Sequence, residues 1–152
     1  MRYVFMSAIL LVLSGIQPAF AGNASNRSST AGATAIVEKG FSAYQSSGSL
    51  AAVKAWLKGS PIATGTAVLK QASNTFNTFE TFYGSYQGYK IVGSHSLSGR
   101  TEMILVTINY ETGPVFGWFM AYQTAKKNWV IDLYKFYTDP NQAWPDDLIY
   151  GQ

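Results

Sequence analysis

Two residues in this chain have side chains that suit acid–base chemistry, His95 and Asp132. His95 is the only histidine, and an imidazole titrates near neutral pH, so it could serve as a general base. It lies between two serines, shortly before a predicted turn, which equally suits a partly exposed histidine without a catalytic role. Both interpretations are open, and the sequence favours the second.

Asp132 lies between Ile131 and Leu133, in the middle of a predicted strand. A carboxylate on an apolar face is costly unless it is paired or lies in a wet pocket. Asp132 could therefore provide the polar contact of a ligand pocket or act as the base of a small enzyme. Alternatively it is a structural residue bonded to a tyrosine hydroxyl or a lysine, and the sequence favours this alternative.

Other kinds of reactive site are missing from the sequence. One histidine and no cysteine exclude a multi-histidine metal site, a thiol nucleophile, a cysteine-based zinc site and disulfides. The adjacent Asp146 and Asp147 lack the alternating ligand spacing of a calcium loop, so we expect a solvated tail. Glu80 and Glu102 are expected at the surface, Glu102 beside Arg100. The sequence predicts neither a metal nor a cofactor.

The charge of the chain argues against nucleic acid as a partner. The chain has eleven Lys and Arg residues and eight Asp and Glu residues, which gives a net charge of +3. No run of basic residues is longer than Lys126-Lys127. Aromatic residues make up 15% of the chain and charged residues only 12%. This apolar composition suggests surface that something beyond the domain's own core buries.

The first residues are typical of a secretory signal. Arg2 precedes a short apolar run over residues 3–13, and Ala19-Phe20-Ala21 follows, which predicts cleavage after Ala21. The apolar run is shorter than the roughly 20 residues of a spanning helix, although an uncleaved anchor is the alternative. No cysteine is present for lipid attachment. We therefore expect a periplasmic or secreted protein without a membrane span after cleavage.

The remaining chain predicts one domain. Residues 22–32 are small and polar, as in a disordered leader, and residues 33–152 are long enough for a single core. Helical spacing of apolar residues predicts a helix over 33–45, a second capped by Ser49, and a third from near Thr64 or Thr66 to Gly84. The third helix carries an aromatic stripe, interpreted as its core face rather than a ligand wall.

From residue 86 the apolar period becomes two, which predicts strands. Tyr89, Ile91, His95 and Leu97 should share one face of the first strand. Three further strands follow over 101–110, 115–124 and 129–137, separated by short turns. The predicted fold is α+β, with N-terminal helices packed on a four-stranded antiparallel meander.

Both faces of this sheet are apolar, whereas a one-sided sheet alternates with polar residues. Helices can cover one face only, so the second face must be covered by curvature around a cavity, by a second subunit, or by both. An isologous homodimer through the sheet is the commonest solution.

This order of elements resembles the NTF2-like, or cystatin-like, superfamily, and more narrowly its small exported bacterial members. The likeness covers residues 33–139, and many members insert an early strand between the first helices that this chain lacks. The resemblance implies a curved cone with a pocket between sheet and helices, and frequent dimers. Its residues are Tyr83-Gly84, Gly88-Tyr89-Lys90-Ile91-Val92, Tyr110-Glu111-x-Gly113-Pro114, Tyr122, and Trp129-x-Ile131 with Phe136.

Two functions follow as hypotheses. The first is an exported, non-catalytic domain that binds a small apolar ligand or a protein partner through the sheet or the cone pocket. The second is a small pocket enzyme catalysing proton transfer, isomerase-like or dehydratase-like, with Asp132 or His95 as base. For the first, regular alternation would place Asp132 and Tyr134 on one face with Trp118 and Tyr122, and these four residues are the expected ligand contacts.

Overall fold

A computed structural model describes residues 24–62 and 65–151 of the chain. The predicted signal peptide lies outside the described residues. The four strands pair in chain order as an antiparallel meander, which confirms the predicted α+β class. The elements are α1 (Ala24–Ser47), α2 (Ser49–Trp56), α3 (Thr66–Tyr83), β1 (Tyr86–Ser98), β2 (Thr101–Tyr110), β3 (Pro114–Gln123), β4 (Trp129–Tyr137), α4 (Pro140–Ala143) and α5 (Asp146–Tyr150).

The first helix is longer than predicted, because it begins at Ala24. The helix therefore includes residues 24–32, for which the sequence predicted a leader without regular structure. Adding turns to an existing helix avoids the cost of nucleation, so small polar residues can extend it. The added part also contacts the sheet: a Cβ on Gly32 would lie 2.8 Å from Cδ1 of Trp129.

The second helix is capped differently from the prediction. Gly48 is its N-cap residue, and no side chain caps it. The hydroxyl of Ser49 instead donates to Oδ1 of Asn77 at 2.6 Å, which links α2 to α3. The third helix ends at Gly84, as predicted.

Aromatic side chains fill the space between the helices and the sheet. Trp56 lies at the centre, where its Nε1 donates to the carbonyl oxygen of Val37 at 2.9 Å. Its ring centroid is 4.9 Å from that of Phe41 and 5.3 Å from that of Phe76. The indole lies directly on Gly40, where a Cβ would collide with it. Phe76 is fully buried, so the aromatic stripe of α3 does face the core.

The end of the chain returns across the sheet, although Asp146 and Asp147 are themselves exposed, as expected. Helix α4 packs on β3 and β4, with the side chain of Asp139 as its N-cap. Trp144 then packs edge-on against Phe116, with ring centroids 5.0 Å apart. Its Nε1 donates to the carbonyl oxygen of Gly117 at 3.2 Å. The C-terminal segment, residues 140–150, therefore covers part of the sheet face that points away from the helices.

No helix within residues 24–62 and 65–151 is both long enough and apolar enough to cross a membrane.

Candidate functional site

The two central strands alternate regularly and define two faces. Ile104, Val106 and Ile108 of β2 are fully buried beneath the helices. Their neighbours Met103 and Leu105 point to the opposite side, which we call the outer face. On β3 the register pairs Met103 with Met120 and Leu105 with Trp118, so these two residues also lie on the outer face.

A bulge in β4 overturns the predicted position of Asp132. Met120 pairs with Leu133 and Ala121 pairs with Ile131, so Asp132 is an extra residue opposite no partner. The extra residue reverses the alternation that we assumed to be regular. Asp132 is exposed at the sheet edge, and it does not lie on an apolar face.

The same bulge separates the four expected ligand contacts. Tyr134 pairs with Phe119 and faces the helices, where burial raises the pKa of its hydroxyl. Trp118 and Tyr122 lie on the outer face instead. The prediction that these residues share one face with Asp132 is therefore wrong.

A second bulge, at Val92 in β1, places His95 on the opposite face of the sheet from the predicted one. Tyr89 pairs with Ile108 on the helix side, but beyond the bulge His95 pairs with Met103 on the outer face. His95 is exposed, and it does not share a face with Tyr89 as predicted. The bulge moves the imidazole out of the predicted cone interior.

His95 and Asp132 lie on opposite edge strands of the sheet. Three interstrand spacings separate β1 from β4, which is about 14 Å across the sheet. The two side chains are too far apart to share a proton directly. The structure therefore forms no dyad from the two residues with candidate acid–base chemistry.

The outer face has a covered half and an uncovered half. The C-terminal segment covers the half around Phe116 and Leu105. Between this segment and β1 lies a cleft of about 480 Å³. The cleft contains one imidazole and one carboxylate, and its lining includes His95, Leu105, Pro145, Asp147 and Leu148.

The uncovered half carries a continuous apolar row, which we call the methionine face. Met103, Met120 and Leu133 pair directly across three neighbouring strands, and Tyr122 lies two residues along β3 from Met120. Leu133 is 40% exposed and Tyr122 38% exposed, while the two methionines are half-buried. Directly opposed side chains in neighbouring strands lie close enough to form one surface.

Comparison of the chain with protein-family models, curated proteins and solved structures finds no match. Any function must therefore be argued from the chemistry of the surfaces that this fold presents.

Glu102 is an acidic residue whose position the sequence analysis missed. It is 1% exposed, and its Oε2 has no hydrogen-bond partner among the described residues. The expected pair with Arg100 does not form, because Glu102 falls on the helix side of β2 together with Ile104. Arg100 instead donates from Nε to the carbonyl oxygen of Gln123 at 2.8 Å and lies over the Tyr122 ring.

Within residues 24–62 and 65–151, no group of three histidine, cysteine, aspartate or glutamate residues could hold a metal ion. Asp146 and Asp147 begin α5, which is helical rather than a calcium-binding loop.

The structure also contains a basic cleft that the sequence did not predict. Lys39, Lys58 and Lys126 line one depression with Trp129, although they are far apart in the chain. No local pattern could reveal this cluster, because only Lys126 belongs to a basic pair in the sequence.

Proposed function

We propose that this chain is an exported, non-catalytic binding protein that uses the methionine face to bind a second copy of itself. The main support for this proposal is the continuous row of Met103, Met120 and Leu133 on the uncovered half of the outer face. Contiguous exposed apolar surface is a common mark of a protein interface.

The composition of the row suits a protein surface better than a small-molecule pocket. Methionine side chains are flexible and polarizable, and they adapt to the shape of a partner. The cone interior, in contrast, already contains the rings of Trp56 and Phe76. Binding at the outer face requires no rearrangement of that core.

A second copy is the occupant we favour because the centre of the row is uncharged. Two such faces can pack on each other without burying an unpaired charge. Isologous contacts of this kind generate the commonest soluble oligomer, the two-fold dimer. Sheets packed face to face lie about 10 Å apart, which methionine and leucine side chains can fill.

Membership of the NTF2-like superfamily remains part of this proposal. The antiparallel meander after the helices supports it, as do the bulges at Val92 and Asp132, because bulges bend a sheet. Among the described residues no strand precedes β1, so the chain still differs from the members with an early strand. Export rests on the signal-like pattern of residues 1–21.

The alternative is a small enzyme, and one feature still favours it. His95 and Asp147 both line the 480 Å³ cleft, and an imidazole and a carboxylate are groups suited to proton transfer. The exposure of His95 and its distance from Asp132 weigh against this alternative. If His95 bound a ligand there, His95→Gln would lower the affinity for that ligand.

Light scattering with two matched variants tests the proposal. Leu133→Glu places a charge in the methionine face and should convert the dimer into a monomer at protein concentrations where the wild-type chain is dimeric. Phe82→Glu is the control, because Phe82 is 74% exposed on α3 and lies outside the methionine face. A wild-type chain that stays monomeric at high micromolar concentration would contradict self-association.

A further inference from the structure

We propose that the basic cleft between α1, the end of α2 and the β3–β4 turn binds an organic phosphate, with a phosphoryl group against the lysines and a flat apolar body against Trp129. This proposal concerns a different surface from the methionine face and does not depend on dimerisation. The cleft has a volume of about 690 Å³, within the range of small-molecule sites. Its lining residues are Lys39, Lys58, Gly59, Thr124, Ala125, Lys126, Asn128, Trp129 and Val130.

Three separate parts of the fold bring the lysines together. Lys39 belongs to α1, Lys58 follows the end of α2, and Lys126 lies in the turn between β3 and β4. None of the residues lining the cleft is acidic. Three like charges in one depression repel one another and create a local positive potential. A bound anion would reduce this repulsion.

The turn that carries Lys126 is held in a defined shape. The backbone nitrogen of Thr124 donates to the carbonyl oxygen of Asn128 at 2.9 Å, and the Asn128 nitrogen donates to the Thr124 hydroxyl at 3.3 Å. Lys127 adopts a left-handed conformation with φ of 64°, which glycine or asparagine would adopt more easily. These bonds fix the backbone of the turn, which places Lys126 in the lining of the cleft.

Trp129 provides the apolar wall. Its ring packs on α1 at Gly32, where a Cβ would lie 2.8 Å from Cδ1, and it also lines the cleft. The contact with α1 restricts the indole before a ligand arrives. A flat ligand body can stack on such a ring, while lysine ammonium groups bind a phosphoryl group as point charges.

Calorimetry with 1-naphthyl phosphate and with inorganic phosphate tests both halves of the site. We expect one molecule of 1-naphthyl phosphate per chain, bound about tenfold or more tightly than inorganic phosphate, because only the naphthyl compound can contact Trp129. Trp129→Leu should remove most of this difference. Equal affinities for the two probes in the wild-type chain would overturn the assigned role of Trp129.

Lysine variants test the charge. Lys58→Gln and Lys126→Gln should each weaken 1-naphthyl phosphate binding by about three- to tenfold, and the double variant by more. Lys90→Gln on β1 is the matched control, because Lys90 is also exposed but does not line the cleft. Unchanged affinity in the cleft variants, or an equal loss in the control, would overturn the proposal.

Vesicles distinguish a lipid headgroup from a soluble phosphate compound. If the phosphoryl group belongs to a lipid, the chain should co-sediment with phosphatidylglycerol vesicles but not with phosphatidylcholine vesicles, and Lys58→Gln should reduce this binding. If the ligand is soluble, 1-naphthyl phosphate should bind while neither kind of vesicle retains the protein. Binding to neither the phosphate compounds nor the anionic vesicles would exclude a phosphate site.

Discussion

The hydroxyl groups of Tyr44 and Tyr110 lie 3.2 Å apart inside the protein and hydrogen-bond to each other. Tyr44 belongs to α1 and Tyr110 ends β2, so this contact joins the helical layer to the sheet. The Tyr44 ring also stacks on Tyr86, with centroids 4.2 Å apart. Burial raises the pKa of Tyr110 to about 12, against the opposing effect of the bond to Tyr44.

Removing either hydroxyl should destabilise the fold. Tyr44→Phe and Tyr110→Phe each leave the partner hydroxyl buried without its bond, which should lower the free energy of unfolding by about 1–2 kcal/mol. The double variant should lose less than the sum, since no hydroxyl is then left unpaired. Denaturant titration measures this cycle. Tyr137→Phe, at the end of β4 and outside this contact, is the control, and additive losses would show that the hydroxyls do not interact.

Alkaline pH should unfold the protein before these tyrosines ionise in the native state. Burial raises the pKa of Tyr44 and Tyr86 as well as that of Tyr110, whereas an unfolded tyrosine titrates near pH 10. The folded state therefore binds protons more tightly, and stability is fully present below about pH 10 and falls as the pH rises toward 12. Circular dichroism and tyrosinate absorbance should change together. Tyrosines that all titrate near pH 10 in an intact fold would contradict this prediction.

The C-terminal segment should depend on Trp144. Trp144→Ala removes the ring contact with Phe116 and the hydrogen bond to Gly117. We expect the free energy of unfolding to fall by about 1–3 kcal/mol, and proteolysis within residues 140–150 to become faster. Trp144→Phe retains the ring contact alone and should show an intermediate effect. If Trp144→Ala were as stable and as protease-resistant as the wild-type chain, the segment would not be held by this residue.

Replacing Glu102 with glutamine should stabilise the fold. A buried carboxylate with an unsatisfied oxygen is costly, and glutamine removes the charge while nearly retaining the shape. We expect a gain of about 1–2 kcal/mol in the free energy of unfolding. Glu111→Gln, at an exposed site, is the control. A loss of stability in Glu102→Gln would instead show that the charge of Glu102 is compensated in the native protein.

Replacing Asp132 with asparagine should have little effect on stability. The carboxylate is exposed at a bulge of an edge strand, so we expect a change within about 0.5 kcal/mol. Thermal unfolding of the purified variant measures it. A loss of 1–3 kcal/mol, typical of a broken charge-assisted bond, would show that Asp132 is an internal anchor after all.

The sequence by itself determined the fold class and the limits of two strands. Strands β2 and β4 have the predicted bounds, Thr101–Tyr110 and Trp129–Tyr137, because alternation and turn residues are local properties of the chain. The helical spacing of the aromatic residues in α3 likewise predicted that they face the core. The signal-like N-terminus stays a prediction.

Only the tertiary structure decided which residues share a surface. The bulges at Val92 and Asp132 can be defined only against the neighbouring strand, so the alternation within one strand does not reveal them. They moved His95 to the outer face and removed Asp132 from an apolar face. Lys39, Lys58 and Lys126 line one cleft for a related reason. The cleft depends on how three elements pack, and local sequence patterns do not reveal the packing of elements that are distant in the chain.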